Sequence, residues 1–81
     1  MVKVIFYNLL RSKYRIDEEY VDSGTIHQII QNVIDKHKEI DPKDFESAVA
    51  FYNNKPIHFK NFNQLILDNE TIIFTHFVGG G

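Results

Sequence analysis

The groups able to do chemistry in this 81-residue sequence are few, and the most unusual lie together at its end, Val78-Gly79-Gly80-Gly81. Glycine has no Cβ and no preferred backbone well, so three in a row neither pack nor hold a helix. They make a thin, side-chain-free thread with a carboxylate at Gly81, a group that another protein can activate and modify. The competing reading is an unstructured terminus or an expression remnant. Other constellations carry less. His27 and His37 are ten apart on one expected helix and lack the i, i+4 spacing of a helical metal pair, and no carboxylate–histidine spacing stands out at His58 or His76. No metal site is expected. His37 reads as a partly buried helix residue with its polar nitrogen at the edge, and His76 as a partner contact or a solvent-exposed strand residue. Asp17-Glu18-Glu19 are consecutive in a strand pattern, so neighbours point to opposite faces and do not share acid–base work. No Ser–His–Asp set and no phosphate loop is present. No catalytic residue is expected, and the chain reads as a substrate of its partners rather than an enzyme.

A chain of this length is one domain and buries only about 60% of its unfolded surface. There is no cysteine, so neither a disulfide nor a zinc–thiolate site supplements the core. The 43% hydrophobic content, with seven Phe and four Tyr, must build it. Nine basic and eleven acidic residues are interspersed for a net charge of −2, which argues against a general nucleic-acid or membrane-surface binder. No apolar run approaches the roughly 20 residues of a membrane span. Met1-Val2-Lys3-Val4 is a strand pattern rather than a signal peptide, so a cytoplasmic protein is expected.

The elements that must carry the tail follow from periodicity. Val2, Val4 and Phe6 alternate with Lys3, Ile5 and Tyr7, a strand with apolar residues on both faces. The first set is assigned to the core, and Ile5 and Tyr7 to a partner-facing surface or a loop-covered edge. A loop over 8–13 leads to a weak strand over 14–21. Thr25 and Gln28 have capping-box spacing, and Ile26, Ile29, Ile30, Val33, Ile34, His37 and Ile40 continue as one apolar stripe. Pro42 disfavours helix at Asp41, so a helix over about 25–39 is expected across one sheet face. A helical turn near 42–46, a buried strand over 48–52, an Asn53-Asn54 turn, a short strand over 57–59 and an irregular stretch over 61–66 follow. Asn69 is expected to be left-handed. In the final strand, over 71–78, Ile72 and Phe74 face the helix, while Ile73, Thr75 and Phe77 face away. First and last strands joined through a helical crossover can lie side by side and parallel. That is an α+β, β-grasp arrangement of four to five strands and one main helix: a domain over 1–78 and a flexible glycine tail over 79–81.

Four stretches resemble the ubiquitin-like sulfur carriers of the MoaD/ThiS type: Val2-Lys3-Val4-Ile5-Phe6 with Leu10-Arg11; Thr25-Ile26; Ala48-Val49 with Asn53-Asn54-Lys55-Pro56-Ile57; and Leu67-Asp68-Asn69-Glu70-Thr71-Ile72 through Val78-Gly79-Gly80-Gly81. The length is closer to the small subunit of molybdopterin synthase than to the shorter thiamine carriers. Asn69 stands where the family's last turn usually has glycine, and His76-Phe77 replace the paired prolines often found before the tail. The resemblance implies a carrier whose Gly81 is adenylated and converted to a thiocarboxylate, with Gly79 and Gly80 threading partner active sites. It implies a docking face, for which Ile5, Tyr7, Ile73, Thr75, Phe77 and Val78 are the candidates, with Arg11 at its rim. The partners it implies are a ubiquitin-activating-type adenylating enzyme using ATP and Mg²⁺, a sulfur donor of the cysteine desulfurase or rhodanese type, and the large subunit of molybdopterin synthase or a thiazole synthase. No stably bound cofactor is implied. A ubiquitin-related modifier conjugated through Gly81, and a non-covalent β-grasp interaction domain whose tail has no role, are the alternatives.

Overall fold

The computed structural model describes residues 1–76. Strand β1 (Val2–Phe6) alternates as its sequence requires, with Val2, Val4 and Phe6 buried and Lys3 and Ile5 half-buried on the other side. It pairs antiparallel with β2 (Glu18–Val21), Val2 opposite Val21 and Ile5 opposite Glu18. Strands β3 (Gly24–Thr25) and β6 (Leu65–Ile66) form a separate two-stranded ribbon. Strand β7 (Thr71–Thr75) runs parallel to β1, Ile5 opposite Ile73 and Phe6 opposite Phe74. Strand β4 (Val49–Tyr52) pairs antiparallel with β7 on its other side and with β5 (Lys55–Ile57) beyond. The order β2-β1-β7-β4-β5 makes a mixed sheet with the first and last strands at its centre, as the crossover argument expects.

Helix α2 (Ile26–Lys36) lies across one face. Its capping box is complete: the Gln28 N–H donates to Thr25 Oγ1 at 3.2 Å, and the Thr25 N–H to Gln28 Oε1 at 2.9 Å. Ile26, Ile29, Ile30 and Val33 are buried. The helix stops at Lys36 rather than near 39. His37 leaves helical geometry at φ −131°, its N–H bridging the Val33 and Ile34 carbonyls and its ring turning to Glu19 on β2. A following turn then drops Ile40 into the core.

Opposite α2's stripe, Phe6, Phe45, Phe62 and Phe74 are essentially fully buried. Phe74 is central, with ring centroids 6.3 Å from Phe6, 5.3 Å from Phe45 and 6.1 Å from Phe62. Each such side chain contributes about 1.5–3 kcal/mol relative to exposure. Phe45 is supplied by the short helix α3 (Lys43–Glu46).

Three local expectations differ. The link after β1 is not an open loop but helix α1 (Leu9–Tyr14). Leu10 is buried, and Tyr14 packs on the core four residues later, one turn along the same face. That helix consumes the start of the expected second strand, and Arg15 closes it in left-handed geometry at φ 57°. The β4–β5 turn is tight, with Asn53 and Asn54 both at positive φ, so β5 starts at Lys55, before the expected 57–59, and Phe59–Asn61 is a 3₁₀ turn. Asn69 is left-handed, φ 67°, as expected.

Candidate functional site

Residues directly opposite in a sheet share a face. On the face away from α2, register therefore sets Ile5, Ile73, Phe51 and Pro56 in a row across four strands. Ile5, Ile73 and Phe51 are half-buried and Pro56 is exposed. Thr75, half-buried, stands one step along β7 opposite Val49. Val49 is 6% exposed yet is not part of the core cluster. The row is charged at one end, where Glu18 lies opposite Ile5 and pairs with Lys3 at 3.5 Å. At the β7 start it opens into a hollow of about 450 Å³ lined by Phe51, Asn53, Asn54, Asn69, Glu70, Thr71 and Ile73. An apolar strip with polar rims is what a protein-binding face requires.

The far end of β7 is held by side chains. The Tyr7 N–H donates to the Phe74 carbonyl at 2.9 Å, the last rung between β1 and β7. The Asn8 amide then takes over, its Nδ2 donating to Thr75 Oγ1 and to the His76 carbonyl, both at 2.7 Å. Asn8 has φ 56° and ψ −125°, a backbone region that glycine favours and that costs other residues about 1–3 kcal/mol. His76 is not at the surface as one sequence expectation had it. It is 8% exposed, its Nε2 lies 2.7 Å from the Asp44 carbonyl, and its Nδ1 is buried with no hydrogen-bond partner among the described residues.

Asp44 is itself fixed. Its Oδ2 accepts from the Tyr14 hydroxyl at 2.5 Å and from Lys13 Nζ at 2.9 Å, while the Tyr14 oxygen accepts from the Asp41 N–H at 2.9 Å. The Tyr14 hydroxyl first, and Lys13 after it, hold the Asp44 carboxyl below its ordinary value. The same contact with Asp44 raises the Lys13 ammonium.

Among the expected docking residues, the sheet brings together Ile5, Ile73 and Thr75. Tyr7, 44% exposed, extends the strip past the end of β1. Arg11 lies apart on α1, its Nε paired with Asp17 Oδ1 at 3.0 Å. Phe77, Val78, Gly79, Gly80 and Gly81 lie outside the described residues. Among the described residues no three His, Asp or Glu side chains converge on a metal position, and no helix is long and apolar enough to cross a membrane. Sequence reasoning missed Asn8, His76 and Asp44 as a unit. Asn8 is an ordinary turn residue by type, and nothing local announces partners more than sixty positions away.

No family model and no curated protein sequence matches this chain. In structure it is similar to Urm1 of Sulfolobus solfataricus, with a TM-score of 0.58 and 23% sequence identity over 91% of this chain and 97% of that one. The likeness spans nearly the whole of both chains, and with the mixed sheet and crossing helix described above it establishes that this chain has the β-grasp fold.

Proposed function

We propose that the protein is a ubiquitin-like sulfur carrier whose Gly81 carboxylate is the group its partners transform. The observation that supports this reading is the parallel β1–β7 pair. It presents Ile5 beside Ile73 on an open apolar face, on the same strand that leads toward Gly79-Gly80-Gly81. The likeness in fold to Urm1 agrees with a carrier or modifier of this class.

The chemistry belongs to the partners. In an adenylating enzyme of the ubiquitin-activating type, a Gly81 carboxylate oxygen attacks the α-phosphorus of ATP, Mg²⁺ steadying the phosphates, and pyrophosphate leaves. A persulfide sulfur from a desulfurase- or rhodanese-type donor then attacks the acyl carbon and AMP leaves. A thiol cleaves the resulting S–S bond, supplying two electrons, and the thiocarboxylate remains. The intermediates are protected only where water is excluded. The tail must therefore enter a narrow channel, where a Cβ on Gly80 or Gly81 would collide. Ordering it costs about 1–2 kcal/mol per residue, offset by docking through the outer face. The acceptor we favour is the large subunit of molybdopterin synthase, with a thiazole synthase as the alternative. The chain works without catalysis of its own, in the cytoplasm.

The test is mass spectrometry of the intact chain after incubation with a co-encoded adenylating enzyme, ATP and a sulfur source. One oxygen should be replaced by one sulfur at Gly81, and deletion of Gly81 should abolish the change while leaving the fold intact. Absence of both adenylate and mass change overturns the reading. The second reading, a modifier joined through Gly81 to lysine, is favoured by the same likeness to Urm1. Isopeptide-linked Gly81 in cell extracts selects it.

A further inference from the structure

Asn8 stands where the chain turns from β1 into α1, in backbone geometry that glycine adopts without strain. Its side chain explains why an asparagine is there. Both hydrogens of one amide are directed at the end of β7, to Thr75 Oγ1 and to the His76 carbonyl. They continue the β1–β7 ladder one step past its last backbone rung, from the Tyr7 N–H to the Phe74 carbonyl. A hydroxyl or a shorter side chain would not supply two such donors. From the other side, the buried His76 ring meets the Asp44 carbonyl, and Asp44 is braced by Tyr14 and Lys13. The point from which the C-terminal segment departs is thus held by two separate elements, the β1–α1 corner and α3.

Between His76 and Gly81 the sequence leaves five residues, at most about 18 Å fully extended. Fraying at the root shifts the starting point of so short a segment by ångströms. A misplacement of about 1 Å at a reacting group can lower a rate about 100-fold. We propose that Asn8 is a positioning residue: its amide, with the His76–Asp44 contact as second hold, fixes Thr75 and His76, the root from which the sequence runs on to Gly81. Gly81 then reaches the activating partner's site from a fixed anchor rather than from a frayed strand end. The inference rests on the reading of Gly81 as the activated group and adds the device that fixes its root.

Two variants of the full chain test it. Asn8→Gly removes the amide while suiting the backbone geometry. Asn8→Asp keeps size and polarity but loses both donors. The first readout is ¹⁵N relaxation of the Thr75 and His76 amides, which needs no partner. Both variants should show lower order there with core amide shifts unchanged, and unaltered relaxation in Asn8→Gly overturns the clamp. The second is carrier-dependent ATP–pyrophosphate exchange by the adenylating enzyme. The expected result is a fall in kcat of about 10-fold or more, with KM within about two-fold because the outer face is untouched. Unchanged kcat, or a change in KM alone, overturns the positioning role. If wild type itself supports no exchange, the carrier reading falls and the positioning role with it, while relaxation still decides whether Asn8 holds the root.

Discussion

His37 Nε2 lies 2.8 Å from Glu19 Oε2, tying the end of α2 to the edge strand β2. The imidazole N–H donates to the carboxylate, and the Tyr20 N–H and Lys36 Nζ add to it at 3.2 and 3.4 Å. The His37 contact first, then the Tyr20 N–H and Lys36, hold the Glu19 carboxyl below its ordinary value of 4.5. A depressed folded-state pKa stabilises the fold above the unfolded value, and that contribution is lost as pH falls through the folded value. Glu19→Gln should therefore lower stability by about 1 kcal/mol at neutral pH. The gap from wild type should close on acidification below 4.5. Urea unfolding of both proteins across that range is the measurement. A gap independent of pH would mean the carboxylate's charge is not what stabilises the contact.

Tyr14→Phe removes one oxygen, which leaves the Asp41 N–H without that acceptor and the Asp44 carboxylate with Lys13 but not the hydroxyl. The expected loss is about 1–3 kcal/mol. The Asp44 carboxyl should titrate closer to its ordinary value of 3.8, because the largest cause of its depression is gone. Denaturation and a carboxyl-resolved NMR titration read the two effects separately.

Ile73→Lys places a charge in the middle of the outer row, opposite Ile5 and Phe51. The position is half-buried and outside the core cluster, so stability should change by no more than about 1 kcal/mol. Association with the adenylating enzyme should weaken about 10-fold or more, since a charge in the centre of a desolvated contact is poorly tolerated. Calorimetric titration checks it, and undiminished affinity would remove this face from the docking surface.

Phe74→Ala should be the most damaging single change of the four. It removes the ring that contacts Phe6, Phe45 and Phe62. The expected loss of about 3–5 kcal/mol is a large part of the roughly 5–15 kcal/mol that holds a domain together. Circular dichroism melting should show Phe74→Ala largely unfolded at physiological temperature.

The sequence by itself determined whatever depends on near neighbours. Alternation fixed the inward set Val2, Val4 and Phe6. The Thr25–Gln28 spacing fixed the start of α2, and asparagine's tolerance of positive φ located the turns at Asn53-Asn54 and Asn69. Period-two logic also placed Ile5, Ile73 and Thr75 on one outer face, because a strand's two sides are set by its own pattern. Only the tertiary structure decided what depends on partners distant in the chain. Helix α1 forms because Leu10 and Tyr14 have a core to meet, α2 ends where His37 finds Glu19, and Asn8 and Asp44 close on the last residues of β7 through His76. A side-chain hydrogen bond spanning sixty-seven positions, as from Asn8 to Thr75, leaves no periodic trace in the sequence. Its geometry exists only once the sheet has brought the strands together.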